Sequence, residues 1–384
     1  MRPINPPAAC RPVTHRRHTV LVAALLLAAA LASQAATPAK RQKPKAKAKP
    51  PAHATHAARQ AATASTGPSY AQRPDAMALA REIAERHGLD PAWTQTQLAA
   101  AHRAPAVERL IMPPPAGTAK NWAAYRARFV EPARVQAGVA FWDAQARWLD
   151  AAHARYGVPP EVVVGIIGVE TYYGRMTGGF RVLDALATLS LDFPTGRKDR
   201  SPFFRDELGQ FLALARREGI DPANVKGSFA GAIGLGQFMP GSINRYAVDF
   251  DGDGHVDMVA NPADVIGSVA HYLAEHGWQR DLPTHFGVKP PVDTAARASL
   301  LATDILPSWR AAQLAEHGAE LDAAGQAHGG PLALVELQNG DAAPSYIAGT
   351  TNFYAVTRYN WSAYYALAVI DLGRAVAAQR QLAR

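Results

Sequence analysis

The sequence predicts a mainly helical protein of the α+β class, with a helical body and one small β-containing lobe. Three observations carry that prediction. From about residue 70, helix entries marked by proline or an acid recur, and apolar residues follow them at helical spacing. Residues 285–350 break the pattern, being rich in Pro, Gly and Ala with short β-like runs such as ALVEL. Residues 361–380 return to helix.

Ahead of the body lie two segments of different character. Arg11, Arg16 and Arg17 precede TVLVAALLLAAALA, and Ser33-Gln34-Ala35 supplies small residues for cleavage, so residues 1–35 read as a signal peptide. The apolar run falls short of the roughly 20 residues that span a bilayer, so cleavage and export to the periplasm fit better than a membrane tether. Residues 36–70 form a Lys/Pro/Ala-rich linker too poor in large apolar groups to repay the entropy of folding. The only cysteine, Cys10, precedes the apolar run, so the mature chain carries neither disulfide nor lipid-bearing thiol.

Charge distribution argues against nucleic acid. The formal net charge is +8, but residues 1–66 hold eleven Lys/Arg and no acid, leaving 29 bases against 32 acids in the rest. With 48% hydrophobic and 19% charged residues over 384, the chain has material for one large domain of several lobes.

Within the body, Pro74-Asp75 opens a helix that places Leu79 and Ile83 one turn apart and stops at Gly88, and Asp90-Pro91 opens the next. Residues 132–156 carry Val135, Val139, Trp142, Ala146 and Leu149 at helical spacing, a face expected to be core. Ser201-Pro202 starts a helix whose stripe is Phe204, Leu208, Phe211, Leu212 and Ala215, ended by Gly219.

Between these lies VVVGIIGVETYYGR, residues 162–175, entered through Pro159-Pro160-Glu161. Val163, Ile166 and Ile167 precede Glu170 by seven, four and three residues and share its helical face. Low polarity there penalises the ionised carboxylate, which is how a general acid keeps its proton near neutral pH. The alternative is an acid at a core edge, neutralised by Arg175 or Arg181.

Two further segments carry polar groups. GSFAGAIGLGQFMPGSINRYA, residues 227–247, lacks the strand and Lys-Ser/Thr of a phosphate loop, so its glycines read as close backbone packing that leaves Ser228 and Gln237 to hydrogen-bond a polar ligand. In DFDGDGHVDM, Asp249, Asp251 and Asp253 alternate, Gly254 takes the sixth position of an EF-hand-like loop, His255 offers a carbonyl at the seventh and Asp257 fills the ninth. Such hard oxygen ligands favour calcium as a structural ion. Position twelve is Ala260, so Asp264 is the nearest acid that could close the shell.

In their order, YGVPPEVVVGIIGVETYYGR, LDALATLS, KGSFAGAIGLGQFMP, AVDFDGDGH, IGSVAHYL and NFYAVTRYN resemble the lytic transglycosylase B family, bacterial enzymes that cleave peptidoglycan glycan strands. The resemblance spans roughly residues 73–380, within an expected catalytic domain of residues 71–380. It implies a lysozyme-like helical core flanked by an α lobe and a small β lobe, with Glu170 as the single catalytic acid. It places Ser228, Gln237, Tyr272, Tyr359, Asn360 and Tyr365 around the glycan groove, with Tyr125 from the α lobe, and matches Asp249, Asp251 and Asp253 to a metal loop. The expected partner is the glycan strand, with envelope or wall-synthesis proteins besides, and the expected state is a monomer.

The chain also departs from that family's pattern. It lacks the lipoprotein cysteine, TGRKDRSPFF looks longer than the usual loop, and Tyr172 and Tyr173 stand where an Arg and a Trp are frequent. Asp184 and Asp192 are close enough in sequence to supply a second carboxylate, which keeps a hydrolytic muramidase on the same fold as an alternative. A non-catalytic wall-binding protein is the other.

Overall fold

The computed structural model describes residues 67–113 and 120–383. The expected signal peptide and nearly all of the linker lie outside the described residues. No helix among those described is long and apolar enough to cross a membrane.

Chain punctuation sets the elements. Helices α1 (Pro74–His87), α2 (Pro91–Ala100) and α3 (Pro105–Leu110) each have proline in the first turn, where the missing N–H costs nothing. Asp90 caps α2 by accepting from Trp93 N at 2.6 Å. After α4 (Trp122–Ala127), the 25-residue α5 (Pro132–Tyr156) ends at Gly157 in the left-handed conformation. Next come α6 (Pro160–Thr171), the short β1 (Phe180–Arg181), α7 (Val182–Leu191), α8 (Ser201–Arg217), β2 (Lys226–Gly227), α9 (Pro240–Tyr246) and α10 (Pro262–Glu275). β1 and β2 pair antiparallel.

The β lobe falls where the sequence places it. β3 (His285–Lys289) is followed by α11 (Thr294–Leu301), α12 (Ala311–Glu316), β4 (Glu320–Leu321), α13 (Ala323–Gln326), β5 (Ala333–Asn339) and β6 (Ala342–Gly349). The strands form one antiparallel sheet ordered β4-β3-β6-β5. Alternation sends Leu332, Leu334 and Ala348 into a cluster of the lobe's own with Phe286, Leu300 and Leu314. Ala333, Val335, Leu337 and Ile347 face the other way and join the main core. The chain then closes with α14 (Thr351–Tyr359) and α15 (Ala363–Leu382).

At the centre, α6 packs against α15, α5 and α10. It is buried all round from Val162 to Val169 rather than along one stripe, as expected of a helix with neighbours on every side. Gly165 permits a close crossing, since a Cβ there would lie 2.2 Å from the Val369 carbonyl oxygen of α15.

On α5 the structure shifts the expected core face. Trp142 and Leu149 are buried, but Val135, Val139 and Ala146 are only half-buried, and the deepest positions include Arg134, Gly138 and Ala152. The reason is the neighbour: the Tyr173 hydroxyl occupies the space that a Cβ on Gly138 would take. On α8 the predicted stripe is buried throughout.

Candidate active site

Glu170 stands in the last turn of α6, where the chain leaves the helix through Tyr172 and Tyr173, both left-handed at φ 52 and 56. Thr171 secures this exit. Its hydroxyl donates to the Leu235 carbonyl at 2.9 Å and accepts from Gly174 N at 3.0 Å, tying the turn to the segment that carries Gln237.

Burial pushes the Glu170 carboxyl up from 4.5 to about 7, against a hydrogen bond from the Tyr365 hydroxyl to Oε1 at 2.6 Å that favours the charged form. Its position at the negative end of the α6 dipole acts in the same direction as burial. Among the described residues Glu170 makes no ion pair. Arg181 pairs with Asp184 at 3.3 Å, and the Arg175 guanidinium lies over the Tyr172 ring at 4.8 Å, so neither of the expected neutralising arginines serves it. The result is a carboxyl poised to hold and release a proton near neutral pH.

The two carboxylates considered as partners are engaged elsewhere. Asp184 is buried and accepts from His102 N at 2.9 Å, while Asp192 takes the Arg73 guanidinium at 2.7 Å and the Tyr70 hydroxyl at 2.6 Å.

Around Glu170 the structure assembles an aromatic wall. Tyr365 comes from the first turn of α15, capped by Ser362, and its ring stacks with Tyr359 at 6.4 Å and 11°. Tyr359 donates to the Gly236 carbonyl, and its ring meets those of Phe238 and Tyr272 at 5.6 and 5.1 Å. Tyr272 is buried, and its hydroxyl is spent on the Arg358 carbonyl at 2.6 Å, which leaves its ring as wall. Tyr125, from α4, packs among Trp122, Phe129 and Tyr364. Burial, reinforced by the charge of Glu170, pushes its hydroxyl up to about 12.

Gln237 sits at φ 51, with Nε2 donating to the Gly234 and Thr177 carbonyls at 2.9 and 3.1 Å. The segment does approach its neighbours closely: a Cβ on Gly234 would lie 1.8 Å from the Met258 carbonyl oxygen. Ser228 accepts from Ala232 N at 3.0 Å and Ala230 N at 3.3 Å and is buried, so its oxygen closes a turn that shapes the segment. Asn360 ends α14, its carbonyl accepting from Ser362 N at 2.7 Å.

Sequence reasoning missed several contributors. Thr171 was signalled only by being a polar residue beside the acid. Arg134 lies on the buried face of α5, donates to the Gly168 carbonyl at 3.1 Å and stands over the Tyr172 ring at 4.6 Å, whereas the helical pattern marks the neighbouring face of Val135 and Val139 as core. Tyr173 packs inward on Phe141 at 5.4 Å.

The acidic loop is arranged differently from a linear reading. Asp249, Asp251 and Asp264 bring carboxylate oxygens within 4.8 Å of one another. Asp249 also accepts from Gly252 N and Gly254 N, Asp253 accepts from His255 N, and Asp257 from Val259 N and Ala260 N. Asp264 is fully buried on α10, holds Phe250 N and Asp257 N at 2.8 Å each, and is pushed up by burial and by the charges of Asp251 and Asp249. Three hard oxygen donors converging from a loop and a buried helix start suit a calcium-sized cation.

Comparison with known proteins agrees with this architecture. The family model described as the transglycosylase SLT domain matches residues 71–374. The chain is 42% identical over 328 residues to membrane-bound lytic murein transglycosylase B of Escherichia coli strain K12, covering 82% of this chain and 86% of that protein. The solved structure of the E. coli lytic transglycosylase Slt35 in complex with bulgecin A superposes with a TM-score of 0.73 at 42% identity, covering 82% of this chain and 96% of that one. Slt35 in complex with calcium gives 0.71 at 41%, with 82% and 96% covered. A helical, lysozyme-like body, a lone carboxyl under an aromatic wall and matches of this extent establish that the chain belongs to the transglycosylase SLT domain family.

Proposed function

We propose that this chain, a lytic transglycosylase of peptidoglycan, uses Glu170 alone as acid and then base. The carrying observation is the carboxyl itself: held by Tyr365, free of ion pairs among the described residues and raised to about 7. Protonated Glu170 gives its proton to the glycosidic oxygen between N-acetylmuramic acid and N-acetylglucosamine as the bond to the anomeric carbon breaks. The substrate's N-acetyl group stabilises the charge that develops there. The sugar's own 6-hydroxyl then attacks the anomeric carbon and returns a proton to Glu170. A 1,6-anhydromuramoyl end and a free 4-hydroxyl result, with no water consumed and the acid regenerated.

Tyr365 holds Glu170 in place, and Tyr125, Gln237, Tyr272, Tyr359 and Asn360 line the groove, with Ser228 shaping the segment that presents Gln237. Asp249, Asp251 and Asp264 would hold a calcium ion, which supplies the positive charge that three converging carboxylates lack. We place residues 71–380 as the catalytic domain and the enzyme in the periplasm, delivered by a cleaved signal over residues 1–35. Mass spectrometry of digested murein sacculi tests the reaction: anhydromuropeptides are expected from the wild type and none from Glu170→Gln, and wild-type release by that variant would refute the assignment.

A further inference from the structure

A glycan strand is a polymer, so it must run past the cleaved bond and across the surface beyond it. The turn that follows Tyr359 and Asn360 carries an exposed aromatic side chain. Trp361 is 40% exposed, one of the few large apolar side chains left open among the described residues. It sits on the turn between α14 and α15, one residue after Asn360 and two after Tyr359, so chain length alone keeps its Cα within about 8 Å of that of Tyr359. Its ring meets Tyr354 edge-on at 5.9 Å and 84°. The Arg358 guanidinium lies over both rings, at 5.1 Å from Trp361 and 5.7 Å from Tyr354.

This arrangement fixes an indole that water would otherwise leave mobile. A cation held over aromatic faces and an edge-to-face partner orient the ring. A pyranose presents C–H groups on one face, which pack on an aromatic plane, and hydroxyls at its rim, which a guanidinium can serve. α14 buries Phe353, Ala355 and Val356 and leaves Tyr354 and Arg358 half-buried beside Trp361.

We propose that Trp361, supported by Tyr354 and Arg358, is an outer sugar subsite that takes a glycan ring beyond the pair flanking the cleaved bond. The inference rests on the glycan reading above and adds a residue that sets preference for longer strands.

The test uses Glu170→Gln, which keeps the groove and holds substrate without turnover, with and without Trp361→Ala. Calorimetry measures binding of purified peptidoglycan fragments of increasing numbers of disaccharide repeats. With Glu170→Gln alone, affinity should climb with length. Adding Trp361→Ala should weaken the longest fragments five- to tenfold and flatten the climb, and Trp361→Phe in its place should restore most of it. The same length profile with and without Trp361, or an equal loss at every length, would overturn the subsite and leave the glycan reading standing. Absence of binding at any length by Glu170→Gln would overturn both.

Discussion

Replacing Tyr365 by Phe isolates the side-chain hydrogen bond that Glu170 accepts among the described residues. The ring and its stacking on Tyr359 stay, and the 2.6 Å hydrogen bond to Oε1 goes. That bond favours the carboxylate, so its loss raises the pKa further above about 7. A hydrogen bond to a charged group contributes about 1.5–3 kcal/mol. One pKa unit corresponds to about 1.4 kcal/mol, so the expected rise is about one to two units. The Tyr365 hydroxyl is itself pushed well above its ordinary 10 by burial, so it remains a donor throughout the assay range. Activity that needs protonated Glu170 declines as pH rises through this pKa, and kcat/KM reports it in the free enzyme. The alkaline limb of anhydromuropeptide release should therefore move to higher pH in Tyr365→Phe, although the maximum itself drops because the acid is less well placed. A limb that stays put, or moves to lower pH, would refute the coupling.

Three other outcomes follow from the geometry. Millimolar calcium should raise the melting temperature, and Asp249→Asn with Asp251→Asn should abolish the increment; identical curves in chelator and in calcium would remove the ion from the account. Gly165→Ala drives a Cβ into the Val369 carbonyl, an overpacking that costs about 1–3 kcal/mol, so calorimetry should show melting several degrees lower. Glu170 and the buried Glu207 are both raised from 4.5 to about 7, chiefly by burial. Each favours its protonated form in the fold, so the stability they contribute is present below about 4.5 and lost as pH rises through about 7. Melting temperature should decline over that window, and less steeply in Glu170→Gln.

Much of this was legible in the chain because its punctuation is local. Pro132, Gly157, Pro160 and the Pro/Gly-rich stretch before α14 mark element ends through fixed or left-handed backbone, and the predicted 132–156 helix coincides with α5. Glu170 stood out because an acid on an apolar helix end is costly. What stayed hidden depends on distant contacts. Tyr365 is 195 residues from Glu170, and no spacing rule joins them. Arg134 and Gly138 displaced Val135 and Val139 from the deepest face of α5 because Tyr173, from the turn after α6, fills the gap. In the acidic loop the chain order already offered Asp264 beside Asp249 and Asp251, but not that its buried side chain on α10 holds Phe250 N and Asp257 N.

Cleavage of the glycan by one carboxyl without water can be read by digesting sacculi in oxygen-18-enriched water and weighing the new muramoyl ends. Anhydro ends that carry no label are expected from the wild-type enzyme, and no new ends from Glu170→Gln. Reducing ends bearing one labelled oxygen at the anomeric carbon would contradict cleavage without water.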